Sequence, residues 1–171
     1  MRTRTTVLLL VLAATVAALA GYWTGLSRLG PHAEEALFNA RFVDVDDQPQ
    51  TFEQWRGKIM VVNFWATWCP PCRVEIPGFI RLQNKYKDRG LVFVGIALDQ
   101  RDKVQAFMKE VGINYPILLA GPEAMDLARA LGNQSGGLPY TLIVNAQGNI
   151  SFKKVGGVNE LQLERALEDL F

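Results

Sequence analysis

The sequence has few of the side chains that bind metal ions: two cysteines and one histidine among 171 residues. Two thiolates need further ligands to hold a metal, and residues 33–171 contain no histidine, so composition argues against a metal site. The net charge is +1, which gives no reason to expect binding to nucleic acid. The sequence also lacks internal repeats and low-complexity tracts, so we expect one ordinary globular domain with an appendage.

No acidic residue occurs in the first 28 positions, and no charge of either sign occurs from Val7 to Leu26. Twenty helical residues at 1.5 Å each span a hydrocarbon core of about 30 Å. Arg2 and Arg4 precede this run, and positive charge there favours a cytoplasmic N-terminus. Residues 1–28 are therefore predicted to be a membrane anchor or signal, with the rest of the chain on the opposite side of the membrane.

A cleaved signal peptide is the alternative to an anchor. Ala18-Leu19-Ala20 has the small-residue pattern of a cleavage site, and cleavage after Ala20 would release a soluble protein. Both alternatives predict export. Residues 29–37 are predicted to be a linker to a domain spanning 38–171.

The domain is predicted to be an α/β sandwich. Ile59 to Trp65 and Leu91 to Leu98 are apolar runs typical of strands buried on both faces. An alternation from Phe38 to Val45 favours an edge strand or hairpin, and Phe52 to Arg56 favours one helical turn. Further strands are predicted over 115–119, 140–144 and 149–155, and helices over 70–87, 101–111, 122–131 and 159–170. This order predicts a mixed central sheet, parallel at first and ending in an antiparallel hairpin, with flanking helices. The apolar side of the 70–87 helix is predicted to comprise Val74, Ile76, Phe79, Ile80 and Leu82.

Both cysteines lie in Trp68-Cys69-Pro70-Pro71-Cys72, where a helix is predicted to follow a buried strand directly. At a helix start, unpaired N–H groups and the dipole favour a thiolate on Cys69, and a lowered thiol pKa supplies a nucleophile near neutral pH. Cys72 lies about one turn further on, where its thiol can resolve a mixed disulfide formed by Cys69. Pro70 and Pro71 suit the first helical turn. The pattern predicts disulfide exchange.

Two other interpretations of the cysteine pair remain open. An exported protein can carry a purely structural disulfide, although so short a loop constrains little of the unfolded chain. A metal site is the other alternative, with His32 in the predicted linker as its only available histidine.

The segment from Gly57 through Pro77 resembles the TlpA/ResA-type thiol–disulfide oxidoreductases, which are anchored periplasmic relatives of thioredoxin. The similarity continues through Gly136 to Thr141 and covers roughly residues 38–171. It implies a thioredoxin-like fold behind a single-pass helix in a bacterial inner membrane, with no cofactor. The implied partners are disulfide-bearing client proteins and a membrane protein that donates electrons. The implied processes are cytochrome c maturation or the assembly of metal centres.

The resemblance also implies roles for individual residues. Pro139 matches a cis-proline whose loop faces the disulfide, and Leu138 offers backbone groups to a bound peptide. Glu75 matches an acidic residue near the cysteines, where a carboxylate can accept or return a proton; its alternative is a solvated glutamate on the helix face. The residues expected to contact substrate are Trp68, Pro70, Pro71, Leu138 and Pro139.

One position departs from thioredoxin itself. Asn63 occupies the strand position where thioredoxin has a buried aspartate, and an asparagine cannot carry a proton. Any proton transfer in this chain is therefore expected to use Glu75 or water.

Two other functions are weighed against disulfide exchange. A peroxidase of the peroxiredoxin type places Thr or Ser three residues before its reactive cysteine, whereas this chain has Ala66 there. A copper-handling module is the non-enzymatic alternative, and it normally needs a histidine near the thiols.

Overall fold

Apolar segments separated by short turns set the order of the elements in this chain. The computed structural model describes Thr15 and residues 32–171. The strands are β1 (Arg41–Asp44), β2 (Pro49–Thr51), β3 (Ile59–Trp65), β4 (Leu91–Ala97), β5 (Ile117–Leu119), β6 (Tyr140–Val144) and β7 (Ile150–Val155). The α-helices are α1 (His32–Asn39), α2 (Pro70–Tyr86), α3 (Arg101–Val111), α4 (Glu123–Ala130) and α5 (Glu160–Glu168), and Phe52–Trp55 and Lys87–Arg89 form 3₁₀ turns.

The seven strands form one sheet in the order β2-β1-β5-β4-β3-β6-β7. Strands β3, β4 and β5 are parallel, while β6 and β7 continue the sheet as an antiparallel pair. The mixed sheet is confirmed. Strand β1 also pairs antiparallel with β5, so antiparallel pairing occurs at both ends of the sheet and not only at the C-terminal hairpin.

The two central strands, β3 and β4, are buried at every position. Asn63 in β3 lies opposite Gly95 of β4 on one side and Thr141 of β6 on the other. Paired residues of adjacent strands direct their side chains to the same face of a sheet. A polar asparagine and a polar threonine therefore lie together at the centre of an otherwise apolar sheet.

Helix α2 packs on this sheet through a stripe of buried side chains. Ile76, Phe79 and Leu82 follow the spacing of three to four residues that keeps side chains on one helix face. Val74, which the sequence predicted to belong to the apolar side, is 80% exposed. It lies two positions from both Cys72 and Ile76, which places it on the opposite face.

Helix α1 corrects the prediction for the start of the domain. The sequence predicted a linker over 29–37 and a strand from Phe38, whereas residues 32–39 are helical and the strand begins at Arg41. Phe38 is buried, with the Arg56 guanidinium 3.8 Å from the centre of its ring. The alternation that predicted a strand begins with this phenylalanine, but Phe38 lies near the end of helix α1.

The chain divides into two units, residues 1–33 and residues 34–171. Apart from Thr15, the predicted anchor over residues 1–28 lies outside the described residues. Within Thr15 and residues 32–171, no helix has both the length and the apolar character needed to cross a membrane. The site described below lies within the second unit.

Candidate active site

The two cysteines lie at the N-terminus of α2 and are joined by a disulfide with an Sγ–Sγ distance of 2.05 Å. Cys69 is the residue that caps the helix, and its Sγ accepts a hydrogen bond from the Cys72 backbone N–H at 3.4 Å. Pro70 and Pro71 occupy the first turn, where a backbone N–H would have no helical partner. The strand, the turn and the prolines thus place both sulfur atoms where the sequence predicted them.

The two sulfur atoms differ in their access to solvent. Cys69 is 4% exposed and lines a surface groove of about 490 Å³, whereas Cys72 is fully buried and does not line it. A thiolate of another protein that enters this groove therefore meets Cys69 first. The arrangement assigns the outer position to Cys69 and the inner position to Cys72.

The groove brings together four of the five residues predicted to contact substrate. Trp68, Pro70, Pro71 and Leu138 line it, and Trp68 is 66% exposed. The remaining residue, Pro139, follows Leu138 directly, and the Leu138–Pro139 peptide bond is cis as predicted. Sequence reasoning did not identify the other lining residues, which are Leu98, Met125, Arg129 and Gly136.

Of these four residues, only Leu98 could have been predicted to line the groove from a general rule. It follows β4, and the carboxyl ends of neighbouring parallel strands meet at the edge of the sheet where α/β proteins bind ligands. Met125 and Arg129 lie on α4, and no local motif marks them. Their position depends on how α4 packs beside the cysteine turn.

Arg73 follows Cys72 directly, and its guanidinium contacts two side chains of α3. Its guanidinium lies 4.5 Å from the ring centre of Phe107 and 3.5 Å from a carboxylate oxygen of Glu110. Both charged side chains are substantially exposed, and exposed ion pairs contribute little. The positive end of the α2 dipole therefore remains the main electrostatic feature at Cys69.

Glu75 lies on α2 three residues after Cys72 and is 6% exposed, which contradicts the alternative of a solvated helix-face glutamate. Its Oε1 accepts a hydrogen bond from Asn63 Nδ2 at 2.9 Å, and its Oε2 accepts one from the Val158 backbone N–H at 3.0 Å. Burial raises the pKa of the Glu75 carboxyl to about 7, and the two hydrogen bonds oppose this rise only in part. A carboxyl with this pKa exchanges its proton near neutral pH.

A second groove connects Glu75 to solvent. It has a volume of about 460 Å³ and includes Glu75, Pro71, Gly78 and Val158 among its lining residues. Tyr115 is the other titratable group that interacts with Glu75, and burial followed by the Glu75 charge raises the pKa of its hydroxyl. Tyr115 is therefore neutral at physiological pH, and Glu75 is the group that titrates.

Sequence reasoning missed the residues that surround Glu75. Thr141 and Val158 follow it in the chain by 66 and 83 positions. Thr141 ends the Gly136 to Thr141 segment that carries the resemblance, but no role was predicted for it, and Val158 belongs to no recognisable motif. The pairing of β3 with β6 could have indicated Thr141, since it puts Thr141 beside Asn63. Nothing local predicts that the Val158 N–H points at a carboxylate on α2.

The fold and this site define a class of protein. A dithiol at the N-terminus of the helix after a central parallel strand, facing a cis-proline loop, is the arrangement of a thioredoxin-fold thiol–disulfide oxidoreductase. The chain belongs to the Redoxin family, whose model matches residues 32–170.

Individual relatives agree with this assignment and with the resemblance to TlpA/ResA-type proteins. The thiol:disulfide interchange protein HelX of Rhodobacter capsulatus is 34% identical over 160 residues, which are 90% of this chain and 77% of that protein. The thiol–disulfide oxidoreductase ResA of Halalkalibacterium halodurans is 28% identical over 137 residues, covering 80% of this chain and 76% of that protein. The crystal structure of a thioredoxin-family thiol:disulfide interchange protein from Chlorobium tepidum TLS has a TM-score of 0.67 at 38% identity, covering 77% of this chain and 92% of that one.

Proposed function

We propose that this oxidoreductase reduces disulfides of client proteins in the bacterial periplasm. Residues 7–26 hold it in the inner membrane as a single-pass protein, or it is soluble if the chain is cleaved after Ala20. One observation carries the proposal: of two cysteines joined at the start of α2, only Cys69 lines the groove of about 490 Å³.

The reaction proceeds by two thiol–disulfide exchanges, starting from the reduced enzyme. The Cys69 thiolate attacks one sulfur of the client disulfide, and the other client sulfur leaves as a thiolate. Cys72 then attacks Sγ of Cys69, the second client thiolate leaves, and the Cys69–Cys72 disulfide forms. The enzyme dithiol loses two electrons and two protons, one proton on forming the Cys69 thiolate and one from Cys72, and the client gains two electrons while its two thiolates take up two protons from solvent.

Glu75 accepts the proton from Cys72 in the second exchange. A thiol attacks only as a thiolate, and Cys72 is fully buried, so its proton needs a nearby acceptor. Glu75 is buried one turn further along the same helix, with a pKa near neutrality. The proton then leaves Glu75 for solvent through the groove that Glu75 lines.

The client binds in an extended conformation. Leu138 lines the groove beside Cys69, and its backbone groups pair with the segment that carries the client cysteine. Trp68, Pro70 and Pro71 supply the apolar wall of the same groove. The resemblance to TlpA/ResA-type proteins supports clients in cytochrome c maturation or metal-centre assembly, and a membrane protein whose dithiol returns two electrons to the enzyme.

The reduction potential of the Cys69–Cys72 pair tests the direction of exchange. We expect the full chain, equilibrated with thiol–disulfide buffers, to give a value near that of thioredoxin, about −270 mV. A value near about −120 mV would identify an oxidant of client thiols and contradict the proposal. The Cys72→Ser variant, which cannot form the disulfide, is the control for signal from other groups.

A further inference from the structure

Asn63 makes two hydrogen bonds with one end of its amide and none with the other. Its Nδ2 donates to Glu75 Oε1 and to Thr141 Oγ1, each at 2.9 Å. Its Oδ1 is buried and has no hydrogen-bond partner among the described residues. Asn63 is 2% exposed and Thr141 is fully buried, so water does not surround this group.

This orientation of the amide suits only the ionised form of Glu75. Nδ2 carries two donors, and a carboxylate and a hydroxyl oxygen can accept them. If Glu75 held a proton on Oε1, the O–H group would face an N–H donor and would have no acceptor at that position. A buried polar hydrogen without an acceptor is costly.

A half-turn of the Asn63 amide removes this conflict. Oδ1 then takes the place of Nδ2 and accepts from both the protonated Glu75 and the Thr141 hydroxyl. The threonine can change from acceptor to donor because its hydroxyl hydrogen rotates freely. Glu75 and Thr141 thus keep the Asn63 amide as a partner in either protonation state of Glu75, while in the turned orientation Nδ2 takes the position in which Oδ1 has no partner among the described residues.

We propose that Asn63 is a positioning residue whose amide turns as Glu75 gains or loses its proton, with Thr141 as the second partner in both orientations. The inference rests on the proposed function in one respect, since it explains how Glu75 carries a proton during exchange. An aspartate at position 63 would not serve, because a second buried carboxylate would oppose ionisation of Glu75. A leucine would leave both Glu75 and Thr141 without this partner.

The other charged and titratable groups around Glu75 cannot take over the role of Asn63 and Thr141. On α2, Arg81 is exposed and forms an ion pair with Glu160 of α5 at 2.5 Å. Tyr115, before β5, is neutral because burial raises its pKa. Cys72 is the remaining titratable neighbour on α2, and its disulfide removes it from titration in the oxidised protein.

Nuclear magnetic resonance of the oxidised full chain in mild detergent tests the proposal. We expect the Glu75 side-chain carboxyl carbon and the Asn63 side-chain N–H signals to titrate with one common midpoint between pH 5 and 9. In Glu75→Gln the Asn63 signals should become independent of pH. Asn63 signals that stay constant while Glu75 titrates would overturn the proposal, and this comparison needs no variant at position 63.

Two substitutions give a second, independent measurement. Asn63→Leu removes the only side-chain donor to Glu75 among the residues that the structure describes, and we expect the Glu75 midpoint to rise by about one pH unit or more. Thr141→Val keeps the shape of the side chain and should also move the midpoint, whereas Thr141→Ser keeps the hydroxyl and should not. A midpoint unchanged in a folded Asn63→Leu protein contradicts the proposal.

These readouts also separate this proposal from the proposed function. Exchange rates that do not change in Glu75→Gln would remove Glu75 from the reaction. The common titration of Asn63 and Glu75 would still support the pairing, because it is measured without a client.

Discussion

At the scale of single residues, Cys69 and Cys72 have different surroundings although they are three positions apart. Cys69 lines the groove, and its Sγ accepts a hydrogen bond from the Cys72 N–H. Cys72 is buried in the core beneath α2. In the proposed reaction the mixed disulfide with a client therefore forms on Cys69, and the Cys72 thiol attacks it from the buried side.

Cys72→Ser is expected to trap clients. Without the resolving thiol, the mixed disulfide on Cys69 has no internal nucleophile and persists until an external thiol attacks it. Non-reducing electrophoresis followed by mass spectrometry should show client proteins linked to Cys69. Cys69→Ser is the matched control and should trap none; equal trapping by both variants would contradict this order of attack.

Glu75→Gln is expected to slow disulfide exchange by about 100-fold or more near pH 7, because positioned general acid–base groups contribute about 10²- to 10⁴-fold. The rate of the wild-type protein should change with a midpoint near pH 7, which the variant should lack. Stopped-flow fluorescence over pH 5–9 measures both. Glu168→Gln, at an exposed position on α5, should match the wild type; unchanged rates in Glu75→Gln would leave the carboxyl a purely structural role.

At the scale of elements, the centre of the sheet has no space for a side chain at Gly95 of β4. A Cβ atom at Gly95 would lie 2.5 Å from Ile117 Cδ1 and 2.9 Å from Trp65 Nε1, both shorter than real contacts. Trp65 is rigid and 1% exposed, so it cannot move aside easily. Glycine at this position lets β3, β4 and β5 pack closely beneath the cysteine turn.

Gly95→Ala is expected to destabilise the protein by about 1–3 kcal/mol, the usual cost of overpacking a core. Urea unfolding followed by circular dichroism measures the change in the free energy of unfolding. Gly157→Ala is a suitable control, because its Cβ would meet only Pro71 Cβ, at 3.8 Å. Equal stability of the two variants would show that the sheet has room at position 95.

Strong local signals allowed the main elements to be predicted from sequence. The apolar run of β3 and the Cys-Pro-Pro-Cys turn before α2 gave correct bounds for β3 and a correct start for α2. Helix α1 was missed because the strand-like alternation starts at Phe38, which is the last residue but one of that helix. The burial of Glu75 could not be read locally either, since it depends on Val158 in a loop much later in the chain.

At the scale of the whole molecule, Glu75 makes stability depend on pH. Its carboxyl has an ordinary pKa of 4.5, and burial raises that pKa to about 7 in the folded protein. A raised pKa means that the folded state binds the proton more tightly than the unfolded state does. Glu75 therefore contributes full stability below about pH 4.5, and this contribution is lost as pH rises through 7.

The free energy of unfolding of the wild-type protein is expected to fall relative to Glu75→Gln between pH 4.5 and 8. The difference between the two proteins should change by roughly 3 kcal/mol, on the basis of 1.36 kcal/mol per pKa unit. Urea unfolding of both oxidised proteins at half-unit pH intervals measures it. Parallel curves for the two proteins would contradict the raised pKa of Glu75.

The backbone bond from Val158 to Glu75 has a consequence for the order in which this site is made. A ribosome releases the chain from its N-terminus, and more than half of the sequence follows Cys72. Both cysteines therefore emerge from the ribosome before Thr141 and Val158 have been synthesised. A nascent chain at that stage carries the cysteine pair without the enclosed carboxyl, and the hydrogen bond from the Val158 N–H to Glu75 forms only when synthesis is almost finished.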